Sequence, residues 1–349
     1  MRQRLLISAI VILPLLSACV KERADYAGER RAIKFASASI LTETRALKPD
    51  DPTVLIAEGN RAGVFGTRVV DAVSEQVFYN RILQCETVPD PLTPGDPYSS
   101  IWNYNPLEYW KNTGNYYFTA VFPYSTDNAR IDNTYYLNVS YQAGSNNDLM
   151  VARAYQDASV SKDPVNLSFK HATAAVRFLF GKASDSASDS YALTGFHLES
   201  LATAGTLKVI TRISDASENV INLSDWSRGA LGAVASWNAD VVGDRKSVPH
   251  PVDTDDPDDY LEMGWYYMVP QQLNAESSVT FSVAYNDEAP VETTLSITDR
   301  DGVSGADIWH PNCVYNYYII LTQSGLNITV KVVPWDQVDV TTESILFED

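Results

Sequence analysis

From Ile33 onward, apolar residues recur at every second position in short runs, with turn residues between them. "YYFTAVFP" (116–123) sets Tyr116, Phe118, Ala120 and Phe122 on one face and then meets Pro123. "SVTFSVAYND" (278–287) alternates Val279, Phe281, Val283 and Tyr285 with small polar residues. "LNITVKV" (326–332) turns Leu326, Ile328, Val330 and Val332 one way and Asn327, Thr329 and Lys331 the other. Successive side chains of a strand point to opposite faces, so period two predicts strands with one buried face. No helical stripe competes with it. The predicted fold class is all-β, built as β-sandwiches, and the many Tyr, Thr and Val residues suit strands.

The polar, proline-bearing stretch "DASVSKDPVN" (157–166) lies between long alternating runs and predicts a boundary. Two sandwiches in tandem follow, at 32–160 and 165–349. Just past the boundary, "LSFKHATAAVRFLF" (167–180) puts Leu167, Phe169 and His171 in one phase and Ala174, Val176, Phe178 and Phe180 in the other. One inserted residue, a β-bulge near His171–Thr173, would switch the phase. His171 is then a structural residue with a backbone partner, and Lys170 and Arg177 point to solvent.

The N-terminus has another texture. Arg2 and Arg4 precede an apolar run from Leu5 to Leu16, followed by Leu16-Ser17-Ala18-Cys19. A short apolar run with small residues before a cysteine predicts a lipoprotein signal peptide over 1–18, with Cys19 lipidated. The run is well short of the ~20 residues a spanning helix needs. Residues 19–31 are charged and patternless, a tether to the outer membrane. Losing Arg2 and Arg4 takes the net charge from −18 to −20, which disfavours nucleic acid as a partner. Cys85 and Cys313 remain; an exported pair could form a disulfide, but no spacing pattern supports one and two buried thiols are favoured.

Reactive constellations are missing. The sequence contains no Gly-x-Ser-x-Gly elbow, no His-Glu-x-x-His and no phosphate-cradling glycine loop. His171, His197, His250 and His310 are scattered, without partners at metal-ligand spacing. Carboxylates suffice for a glycosidase pair, yet nothing marks any two of them. The acidic "PVDTDDPDDY" (251–260) has calcium-loop texture but lacks the turn glycine and the closing glutamate; a solvated loop is the favoured reading over 253–259. The seven tryptophans are expected in the core rather than on a sugar-binding platform. The expectation is a protein that is not an enzyme and needs no cofactor and no metal.

Four blocks carry a resemblance: "YNPLEYWKNTGNYYFTAVFPY", "LSFKHATAAVRF", "YYMVPQQL" and "YNYYIILTQSGLNITVKVVPWD", in that order. With the lipobox they make the chain similar to the fimbrillin-like family, the type V pilins of the Bacteroidales. The resemblance implies two transthyretin-like sandwiches and a structural or adhesive subunit of a surface pilus. It also implies assembly by strand exchange with other pilin subunits, started by an arginine-specific protease that removes an N-terminal strand. His171, Trp110 and Trp335 match family positions that look structural. The role as shaft, tip or anchor, and the adhesion ligand, stay open.

The residues then suggest where such a switch lies. Ile33 and Phe35 read as a first strand, and Arg45-Ala46 lies in a polar stretch before a loop with Pro49 and Pro52. Polar loop tips admit proteases and paired strands do not, so Arg45 is preferred over Arg31, Arg61 and Arg68. At the other end Val338 and Val340 alternate, and Ile345 and Phe347 follow in the opposite phase, so the segment is two short pieces or one bulged strand; 336–349 is the candidate donor strand if the chain is a shaft subunit. The competing reading is a glycan-binding surface lipoprotein that does not polymerise.

Overall fold

A computed structural model of the chain describes residues 31–38, 59–87, 99–133, 135–144, 148–214, 219–239, 242–254, 256–298, 307–322 and 325–334. These residues form strands and short 3-10 turns, and none of them is α-helical. The all-β expectation holds.

The first ten strands are β1 (Phe35–Ala38), β2 (Arg61–Val70), β3 (Val73–Thr87), β4 (Ser99–Asn103), β5 (Asn115–Phe122), β6 (Ala129–Asn133), β7 (Tyr136–Gln142), β8 (Met150–Asp157), β9 (Val165–Asn166) and β10 (Phe169–His171). Eight of them make one sheet in the order β10-β8-β5-β2-β3-β4-β1-β9. Its two outermost strands, β9 and β10, are separated by only Leu167 and Ser168. Two residues span at most about 10 Å from strand to strand, so the sheet must curl until its ends nearly meet. Inside the curl lie Phe35, Val64, Phe78, Leu83, Trp102, Tyr116, Phe118 and Phe169. The predicted inner face of β5 is therefore correct.

The second half begins with β11 (Ala174–Lys182), β12 (Tyr191–Glu199), β13 (Leu201–Ala202), β14 (Ala204–Ile210), β15 (Trp226–Arg228), β16 (Leu231–Gly232) and β17 (Ala235–Asn238). It continues with β18 (Lys246–Ser247), β19 (Leu261–Met268), β20 (Gln271–Gln272), β21 (Ser278–Tyr285), β22 (Val291–Ser296), β23 (Ile308–Trp309), β24 (Cys313–Thr322) and β25 (Gly325–Pro334). Sheet β19-β11-β24-β25 faces the sheet containing β17-β12-β21-β22 across a core of Phe178, Phe180, Phe196, Phe281 and Tyr317. Val279 and Phe281 of β21 are buried there, with Val283 and Tyr285 packed against them, as the alternation predicts. Asn286 and Asp287 then turn the chain into β22 with φ of 45° and 62°, angles these two residue types tolerate best after glycine.

Strand pairing does not stop at the predicted boundary. β9 and β10 follow residue 160 yet belong to the first sheet, and β7 pairs with β14 along seven residues, from Tyr136↔Ile210 to Gln142↔Ala204. A third core, with Val121, Val139, Val151, Leu207, Trp226 and Tyr267, fills the space between the halves.

Two local expectations are corrected. The phase switch near His171 is not a bulge within one strand: β10 ends at His171 in the first sheet, and β11 starts at Ala174 in another. The two phases serve two different cores. Arg177 does not point to solvent. β11 is buried on both faces, and Arg177 is 2% exposed, ion-paired with Glu262 and lying 4.4 Å from the Trp265 ring centroid. A central strand turns its polar phase inward too, so the charge must be matched where it lies.

Candidate functional site

The strand predicted to be removable is seated at a defined place. β1 lies between β4, antiparallel with Phe35↔Trp102, and β9, parallel with Phe35↔Val165. Before the strand proper, the Ile33 N–H donates to the Glu108 carbonyl at 2.9 Å and the Trp110 N–H to the Arg31 carbonyl at 3.0 Å. On the β9 side, the Val165 N–H donates to the Lys34 carbonyl and the Leu167 N–H to the Ala36 carbonyl, at 2.7 and 2.8 Å. β1 thus occupies an interior position in the sheet, and without it β4 and β9 would each present an open edge.

Its side chains fill the inside of the curled sheet. Ile33 is fully buried and Phe35 is 1% exposed. The Phe35 ring meets Phe118, Phe78 and Tyr104 edge-on at centroid distances of 5.3, 5.5 and 5.8 Å. Tyr104 donates its hydroxyl proton to the Ile33 carbonyl at 2.8 Å and accepts from the Glu108 N–H at 3.2 Å. Burial pushes the Tyr104 phenol up to about 12, so it remains a donor to the strand through the neutral range. Sequence patterning missed Tyr104, because a tyrosine after Asn103 carries no mark of the backbone atom it reaches.

The structural residues read from the sequence fall close to this seat. Trp110 is buried and packs edge-on against Tyr116 and Phe118 at 4.7 and 6.0 Å. His171 is 6% exposed; its Nδ1 lies 2.8 Å from Asp148 Oδ2, and Thr173 donates to Asp148 Oδ1 at 3.1 Å. A carboxylate between β7 and β8 therefore holds the passage from β10 to β11, where the sequence reading expected a backbone partner. Arg61 and Arg68 are both in the β2 ladder. Cys19, Arg45, Ala46, Trp335, Val338, Val340, Ile345 and Phe347 lie outside the described residues.

Other sites are plain. Trp102, Trp110, Trp226, Trp265 and Trp309 are buried. Among the described residues no three His, Cys, Asp or Glu side chains converge as a metal site, and no disulfide joins Cys85 and Cys313. In the acidic loop, Asp259 accepts from the Asp253 N–H at 2.6 Å and Asp256 from the Asp258 N–H at 2.9 Å, so these carboxylates close local turns.

The sequence profile of the fimbrillin-like family matches residues 44–335. The chain belongs to the fimbrillin-like family. Its fold is shared with a fimbrial protein of Bacteroides vulgatus, at a TM-score of 0.57 and 13% identity over 87% of this chain and 99% of that one. Candidate cell adhesion proteins of Bacteroides uniformis and Bacteroides ovatus give TM-scores of 0.53 and 0.52 at 13% and 15% identity. Those two alignments cover 88% and 89% of this chain and 99% of each relative. No curated protein sequence matches this fimbrillin-like chain.

Proposed function

We propose that this protein is a structural or adhesive subunit of a surface fimbria, exported as a lipoprotein through Cys19 and assembled by strand exchange. The observation that carries the reading is the seat of β1. A four-residue strand fills an interior position of a curled sheet, with Ile33 and Phe35 plugging its core. An arginine-specific protease cutting between Arg45 and Ala46 would leave that strand held without a covalent bond. Burial of Ile33 and Phe35 is worth roughly 3–6 kcal/mol together, less than a donor strand with four or five apolar side chains supplies. A donor from a neighbouring subunit, with Val338, Val340, Ile345 and Phe347 as candidate plugs, would satisfy both the open edges and the pocket by β-augmentation. The contact is head-to-tail and does not close, so it propagates as a filament.

The other reading, a glycan-binding lipoprotein with a tryptophan platform, loses support because five of the seven tryptophans are buried. Arg45→Ala tests the proposal. The variant is expected to stay uncut, monomeric and membrane-bound, with Cys19→Ala as the control that releases the chain from the membrane. Normal fibres from Arg45→Ala would show that the cut is elsewhere or unnecessary.

A further inference from the structure

The sheet formed by β15, β14, β7 and β6 lays one face on the core between the halves and turns the other outward. Arg130 of β6 and Lys208 of β14 both stand opposite Asn138 of β7, two strand spacings or about 10 Å apart. Both are exposed, and neither is ion-paired among the described residues. Lys208 Nζ lies 4.1 Å from the centroid of the Tyr136 ring. Just beyond the end of β14, the Arg212 guanidinium lies 4.0 Å from the Tyr135 centroid and 5.8 Å from that of Tyr117. Its Nη2 donates to Ser74 Oγ at 2.6 Å, and it too has no carboxylate partner among the described residues. Tyr135 is 52% exposed. The exposed Asp132 of β6 is the acid on this edge, and it pairs with none of the three.

On a chain of net charge −18, two exposed cations facing one strand, with the half-buried Arg212 beyond the strand end and tyrosines between, make a local positive stripe. Cations held against ring faces keep a fixed position at little entropic cost. The stripe runs across the outward side of a four-stranded sheet, which suits an extended polymer rather than an enclosed small molecule. We propose that it binds an anionic polysaccharide, a sugar polymer bearing sulfate or carboxylate groups. The cations contact the anionic groups, and the exposed Tyr135 ring takes the apolar face of a sugar. Nucleic acid fits less well: one charge per roughly 1.7 Å of duplex meets the surrounding acidic surface at every step, whereas a polysaccharide spaces its charges more widely. The inference does not depend on polymerisation, so it stands or falls apart from the reading above.

The test is binding of the purified full chain to immobilised heparin, polygalacturonate, neutral dextran and double-stranded DNA across a salt series. Wild type is expected to bind heparin with an affinity that falls as salt rises, and to ignore dextran. The double variant Arg130→Glu, Lys208→Glu is expected to lose on the order of tenfold or more in affinity with an unchanged melting temperature. Arg245→Glu, a single charge reversal off the stripe and so half the charge change of the double variant, is expected to bind as wild type. Tyr135→Ala is expected to bind several-fold more weakly with the same salt dependence. Binding to heparin and polygalacturonate shows that carboxylate suffices; binding to heparin alone shows that sulfate is needed; both uphold the proposal. Binding to neither, equal losses in the double variant and Arg245→Glu, or equal capture by DNA would overturn it.

Discussion

Phe35 is the side chain on which the seat of β1 depends most. Its ring closes an aromatic cluster with Phe78, Tyr104 and Phe118 in the middle of the curled sheet. Phe35→Ala leaves a cavity there and is expected to cost about 3–5 kcal/mol, read as a fall in the denaturant midpoint with little change in slope. A loss below ~1 kcal/mol would mean that the core does not rest on this strand. Tyr104 offers a subtler probe through pH. Burial raises Tyr104 and Tyr266 from 10.0 to about 12, so the folded state prefers their neutral forms. Their contribution is complete below pH 10 and is lost as pH rises from 10 towards 12. Alkaline titration followed by tyrosinate absorbance and circular dichroism should show exposed tyrosines ionising while strand signal persists, and the buried class ionising only as the sheets melt. Loss of strand signal below pH 9 would contradict this. Tyr104→Phe, which removes the hydroxyl bonded to the Ile33 carbonyl, is expected to cost about 0.5–1.5 kcal/mol.

At the scale of elements, period-two patterning picked out a buried phase correctly in β5 and β21, although Thr119 and Val121 of β5 and Thr280 and Ala284 of β21 are buried on the opposite phase as well. It failed in β11. There both phases are buried, so Arg177 looked solvent-facing while it sits against Trp265 and Glu262. Patterning also placed a boundary at 157–166, because polarity reveals loops but says nothing of where the next strand pairs; β9 and β10 return to the first sheet. The seat of β1 was half legible. Ile33 and Phe35 announced themselves as buried alternates, but their neighbours β4 and β9 are about 65 and 130 residues distant in sequence, and no local pattern encodes that pairing. A chain lacking residues 19–45 is expected to be destabilised, and a peptide spanning 31–38 added in trans should raise its melting temperature in proportion to occupancy. The same peptide with Phe35→Asp should have no effect. Equal stabilisation by both peptides would show that the groove does not read the strand.

In the whole molecule, the halves are tied by more than the chain. β7 and β14 share a ladder, and Arg153 reaches across it, its Nη1 donating to the Ile210 carbonyl at 3.2 Å and its Nη2 to the Val220 carbonyl at 2.8 Å. Tyr141 donates to the Tyr267 carbonyl and Trp226 Nε1 to the Ala172 carbonyl, at 2.7 and 3.0 Å. A subunit braced in this way is expected to keep the packing of the core between the halves, and of the sandwich beyond it, when one short strand leaves the curled sheet. Under the proposed exchange, emptying the seat of β1 would be a local event with a long-range outcome, since it would open the edges of β4 and β9 to a strand from another subunit. The central claim is that this strand leaves before the subunit is built into a fibre. N-terminal sequencing of subunits dissociated from surface fibres tests it most directly. The account predicts a start at Ala46; a start at Val20, or anywhere before Ile33, would show that β1 stays in its seat and contradict the account.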